Sequence, residues 1–237
     1  MRILPFIFII VFSISVSAQT PLIQKVFDEA AQTAQAGNYE TAIESYQRAI
    51  LLSESEKIGD NFLARIHFNI GVCLYHLKQT AEAVEEFTEA IKLSKRNYQK
   101  AFYALGMSQV ELKDWRKAKT AFRDAVNLEK RDGEAWFDLA MVLLEEKDFE
   151  ASRKAFQNAI KYKSVNLADA HNNLGVIYAL KDDFPSAENE FRTALVQSNG
   201  KSTEARNNLQ FCKLYKQSYN QNLLAKLEFS RRNEIGG

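Results

Sequence analysis

Three histidines, two cysteines and 30 acidic residues are the groups in this sequence that could do chemistry. Their spacing works against it. His67, His76 and His171 form no HExxH pair that would set two imidazoles on one helical face around zinc, and Cys73 and Cys212 form no CxxC. There is no EF-hand loop, no glycine loop to cradle a phosphate and no nucleophile elbow. The carboxylates fall mostly four residues from a Lys or Arg, the pattern of a solvated helix face. These residues imply no catalytic centre, metal site or cofactor.

Charge narrows the partners. Lys and Arg total 31 against 30 Asp and Glu, and without Arg2 the balance is 30 to 30. That excludes the broad basic footprint on which nucleic-acid binding relies. The last 37 residues carry seven Lys/Arg and three Glu, a local excess that a solvated helix face explains. Hydrophobic residues make up 46% and charged residues 26%, a globular composition. Only three prolines and nine glycines interrupt the chain, so long helices can run unbroken.

The first twenty residues, MRILPFIFIIVFSISVSAQT, read as a targeting segment. Arg2 opens a positive region, Ile3 to Val16 is almost wholly apolar, and Val16-Ser17-Ala18 offers small residues to a signal peptidase. Residues 1–18 are expected to be a cleaved signal peptide, with the mature chain periplasmic or secreted. An N-terminal membrane anchor is the competing reading. The apolar run falls short of the roughly 20 residues a spanning helix needs.

The elements that must position any functional side chain are repeats. KDWRKAKTAFRDAV at 113–126 returns as KDFEASRKAFQNAI at 147–160. Its central aromatic occurs five times, as Tyr46, Phe87, Phe122, Phe156 and Phe191, at gaps of 41, 35, 34 and 35. Each has a small residue four before and an alanine three after, as in Ala118-Phe122-Ala125, which places all three on one helical face. Upstream lies a second helical pattern carrying Ile70-Gly71, Leu105-Gly106, Leu139-Ala140 and Leu174-Gly175. Glycine inside a helix costs about 1 kcal/mol against alanine, so its recurrence marks a crossing with no room for a side chain. Asp114, Asp148 and Asp183 stand where they can cap the second helix of each pair. A lone pair of antiparallel helices cannot bury both its apolar faces, and stacked pairs can.

Five copies in register resemble the tetratricopeptide repeat family, over about residues 23–200. AWFDLAMVLLEEKDFEASRKAFQNAI at 135–160 and AHNNLGVIYALKDDFPSAENEFRTAL at 170–195 carry the likeness most closely. The resemblance implies an all-α, right-handed superhelical solenoid of antiparallel helix pairs at about 23–56, 64–97, 99–132, 133–166 and 168–200, within a mature region starting at 19. Residues 201–237 would form a capping helix and tail. Two features depart from the family. No copy has the usual proline after its second helix, and the first gap holds about seven extra residues, where Gly59 and Asp60 favour a turn. His67 and His171 occupy the slot that Trp136 fills in the fourth copy and read as packing residues. The two cysteines fall several pairs apart, beyond the 4.4–6.8 Å that the Cα atoms of a disulfide tolerate, and read as buried thiols.

The resemblance also implies a concave binding surface lined by the first helices. Its positions map to Phe27, Phe68, Val72, Tyr75, Tyr103, Met107, Phe137, Met141, Asn172 and Val176. This set is apolar and lacks lysine, so a clamp for an acidic peptide terminus is not expected. The function implied is a non-enzymatic scaffold holding a peptide or helix of another protein, an envelope protein if the chain is exported. Against this stands a groove filled by the chain itself. The alternative function is a structural subunit that docks to a partner or membrane surface through its C-terminal helix. There Ala205, Leu209, Cys212, Tyr215, Tyr219, Leu223 and Leu227 make one stripe, and Leu223, Leu224 and Leu227 would overhang the stack.

Overall fold

A computed structural model describes residues 21–56, 58–218 and 227–230, so the expected signal peptide lies outside the described residues. Among them, all regular structure is helical: α1 (Pro21–Gln35), α2 (Tyr39–Glu56), α3 (Asp60–His76), α4 (Thr80–Leu93), α5 (Gln99–Glu111), α6 (Trp115–Leu128), α7 (Gly133–Glu145), α8 (Phe149–Lys161), α9 (Leu167–Ala179), α10 (Phe184–Gln197) and α11 (Thr203–Ser218). The chain divides into two compact units between Leu128 and Glu129. The first holds the hairpins α1/α2, α3/α4 and α5/α6. The second holds α7/α8 and α9/α10, with α11 packed on α9 and α10 as a cap.

One turn closes all five hairpins. A residue with positive φ ends each first helix: Gly37, Lys78, Lys113, Lys147 and Asp182. The amide after it reaches back five residues, as Asp114 N does to Gln109 O at 2.9 Å and Asp148 N to Leu143 O at 2.9 Å. Lys113 N bonds Val110 O at 2.9 Å inside this ring. This is the Schellman closure, which satisfies carbonyls left over at a helix end. The same aspartates then cap the second helix. Asp114, Asp148 and Asp183 accept from Lys117 N, Ala151 N and Ser186 N at 3.1, 3.1 and 3.2 Å. The turns between pairs use the same device after Lys95, Lys163 and Asn199, all at positive φ, where the amides of Arg96, Ser164 and Gly200 bond Ile91 O, Ala159 O and Leu195 O. The chain therefore reverses after α4, α8 and α10 without the proline the family usually places there.

Inside each hairpin the central aromatic of the second helix is sealed, with Tyr46, Phe87, Phe122, Phe156 and Phe191 at most 1% exposed. Its flanking small residues, from Ala42 and Ala49 to Ala187 and Ala194, are fully buried. The ring lies directly over the recurring glycine. A Cβ placed on Gly71, Gly106 or Gly175 would come within 2.7, 2.7 and 2.6 Å of Phe87, Phe122 and Phe191. The fourth pair has Ala140 instead, and there Ser152 Oγ donates to Ala140 O at 2.9 Å.

The extra residues of the first gap lengthen both helices beside it, α2 to 18 residues and α3 to 17, with Gly59 as the N-cap of α3. Cys73 and Cys212 are buried in separate apolar clusters and form no disulfide, and burial pushes the Cys73 thiol up to about 12.

Two outcomes follow from this packing. Phe122→Ala should cost about 3–5 kcal/mol in denaturant unfolding of the first unit, and Phe229→Ala, at a half-buried ring, far less. Lys113→Gly should stabilise the same unit by about 1 kcal/mol, because it removes the left-handed strain of a side-chain-bearing residue at φ 59°.

Candidate binding face

Most of the residues expected to line a groove are core. Phe27, Phe68, Tyr103 and Phe137 each pack on the central aromatic of their own hairpin, with ring centroids 5.6, 5.8, 5.6 and 5.6 Å apart. All four are buried, as are Val72, Met107 and Val176, while Tyr75 and Met141 are half-buried. The open aromatic row is thus corrected to a packing row, since a ring stacked on its neighbour has little surface left for a ligand.

The fifth pair breaks the row. Asn172 stands where the other four have an aromatic, and it is fully buried beside Asn173 and Asn208, which are equally sealed. What seals them is the chain's own tail, Leu227–Ser230, which is not helical. Asn208 Oδ1 accepts from Glu228 N at 2.8 Å while its Nδ2 donates to Glu228 O at 2.6 Å. Asn173 repeats this on Ser230, with 2.6 Å to its N and 2.9 Å to its O. Asn172 lies between them. Its Nδ2 is 3.0 Å from both Glu228 O and Ser230 Oγ, and its Oδ1 accepts from Asn208 Nδ2 at 2.9 Å. In an extended strand, alternate residues turn their N–H and C=O to the same edge. Two asparagines one repeat apart therefore read residues 228 and 230 entirely through main chain.

The tail's side chains divide accordingly. Leu227 and Phe229 pack against the cluster of Val176, Ala179, Ala187, Phe191, Leu209 and Cys212. Glu228 points to solvent and Ser230 is buried. The expected docking helix is corrected at Leu227, which belongs to this folded-back segment; Leu223 and Leu224 lie outside the described residues. Asn173 and Asn208 were not among the expected site residues. Their signal was the shared NNL of AHNNLGV and EARNNLQF.

Asp169, one turn before Asn173 on α9, has its carboxyl pKa raised by burial and by the nearby charge of Glu204, against the Ser230 hydroxyl that hydrogen-bonds it. The histidines are bound into structure. His67 and His171 meet Glu86 and Glu190 at 2.6 Å, and His76 stacks on Tyr39 at 4.6 Å. Among the described residues no group of three His, Cys, Asp or Glu could hold a metal, and no helix is long and apolar enough to cross a membrane. The first unit has a cavity of about 550 Å³ beside Phe102 and Leu105, and two of the three cations that line it are paired, Arg96 with Asp124 and Lys117 with Asp114.

Stacked helix hairpins with a main-chain-reading face define a helical-repeat protein. Sequence profiles described as tetratricopeptide repeat match residues 28–96, 103–166 and 148–202. The chain belongs to the tetratricopeptide repeat family. A crystal structure of YrrB, described as a tetratricopeptide-repeat protein with an unusual peptide-binding site, superposes with TM-score 0.63 at 23% identity, over 79% of this chain and 95% of that one. MamA from Desulfovibrio magneticus RS-1 gives 0.64 at 19%, over 78% and 100%. Human protein O-mannosyl-transferase TMTC3 is 29% identical over 129 residues, which is 51% of this chain and only 14% of that protein.

The half-buried carboxyl of Asp169 makes a pH prediction. Between the ordinary aspartate pKa and the raised one of Asp169, the folded state holds the proton more tightly than the unfolded state does. This group's contribution to stability therefore falls as pH rises through that window. Asp169→Asn should flatten that stretch of the stability profile of the second unit, followed by denaturant midpoints across the acidic range.

Proposed function

We propose that this chain is a non-enzymatic scaffold that holds an extended segment of another protein along the first-helix face of its second unit. The observation that carries this is the double reading of one strand edge by Asn208 and Asn173. A buried amide left without partners costs about 1–3 kcal/mol, so three sealed asparagines call for a main chain at this place. Recognition through main chain with pockets for alternate side chains is a general mode of peptide capture. The family supports a role in protein–protein interaction, and the peptide-binding site named for YrrB supports this mode.

Docking through an overhanging C-terminal helix is the weaker reading, because Leu227 packs on the chain's own core. The proposal also places the mature chain outside the cytoplasm, beginning at Gln19, an N-terminus that sequencing of the native protein would display.

Replacing Asn173 and Asn208 together by alanine should reduce recovery of the native partner by affinity capture at least tenfold, with helical circular dichroism retained. Unchanged recovery by the folded variant would exclude this face as the site.

A further inference from the structure

The tail does more than fill space, because it shows what the face accepts. Resting on the reading of this face as a peptide site, we propose that Leu227–Ser230 is a resident competitor. The partner segment it mimics is an extended Leu-x-Phe-Ser-like stretch, with apolar anchors at the first and third positions, any residue at the second and a small hydroxyl residue at the fourth. Each element of the pattern has its own cause. Leu227 and Phe229 are the two side chains seated on the apolar cluster around Phe191. Glu228 is held only through its backbone and its side chain is exposed, so nothing selects its type. Ser230 is 4% exposed, and its hydroxyl meets Asn172 Nδ2 at 3.0 Å and the carboxyl of Asp169. A large side chain there would have little room, and an apolar one would remove a hydrogen bond from each of these two groups.

The competitor works by proximity. Only residues 219–226 separate the end of α11 from the bound segment. A covalent connection of that few residues gives an effective concentration of about millimolar. A tail whose isolated peptide binds with Kd of about 0.1 mM or tighter therefore weakens an incoming segment about tenfold or more. A partner must match the anchors or present several copies to displace it.

The test uses the full chain and a fluorescein-labelled peptide of residues 225–232. The full-length Leu227→Asp/Phe229→Asp variant should bind this peptide at least tenfold more tightly than the unaltered chain. Adding Asn173→Ala and Asn208→Ala should abolish that binding. A peptide with Lys for its Glu should bind equally well, and one with Leu for its Ser at least tenfold more weakly. Peptide binding by the tail variant no tighter than by the unaltered chain would overturn the proposal, as would equal binding of a peptide whose Leu and Phe are both Asp. A second measurement needs no variant. Millimolar peptide added to the unaltered chain should expose the amides of Glu228 and Ser230 to hydrogen exchange, and unchanged protection would again overturn it. Partner capture that ignores Asn173 and Asn208, beside a tail that competes as described, would instead remove the peptide-scaffold reading alone.

Discussion

The fold depends on one contact, repeated: a sealed ring on the second helix of each pair packed against the first helix, in three of the five pairs directly on the backbone of a glycine. Phe87, Phe122 and Phe191 lie so close over Gly71, Gly106 and Gly175 that even a methyl group would overlap them. Buried alanines on either side of the ring let the two helices approach, and burying the ring supplies much of the drive to keep them together. The cost is a glycine in mid-helix, about 1 kcal/mol each. The ring outweighs it, because a fully buried aromatic contributes about 1.5–3 kcal/mol from transfer alone.

That contact leaves the first helices free to differ on their other positions, and function enters there. Four pairs place an aromatic against the central ring and close themselves. The fifth places Asn172, which cannot cover Phe191 as a ring would. The neighbouring cluster takes Leu227 and Phe229 from the tail instead, and the asparagines take its backbone. A single change from aromatic to amide thus turns a self-sufficient hairpin into one completed by an added strand. The amides are costly to bury empty and inexpensive to bury against main chain, which makes the site selective for an extended segment.

Much of the scaffold was legible in advance because its determinants are local. The small-aromatic-small spacing fixes a helical face, a recurring glycine fixes a crossing, and Asp114, Asp148 and Asp183 fix where second helices begin. The turns between pairs were less legible. Lys95, Arg96 and Lys163 adopt positive φ with no glycine to announce it, because the carbonyls of the preceding helix require the closure. The site was legible only in part. Asn172 stood out by breaking an apolar row, but the same row misled about Phe27, Phe68, Tyr103 and Phe137, since an aromatic at one helical position serves equally as lining or as core.

The order of helices, the hairpin repeat, the caps and the lack of catalytic spacing were all determined by the sequence alone, since each rests on residues within a turn or two of one another. Only the tertiary structure decided that residues 227–230 leave the helical stripe and lie across α9 and α11. Nothing local sets that choice. It is made by amides at 172, 173 and 208, brought together by the stacking of repeats, which can satisfy their hydrogen bonds in a buried place only against a strand that arrives from elsewhere in the chain.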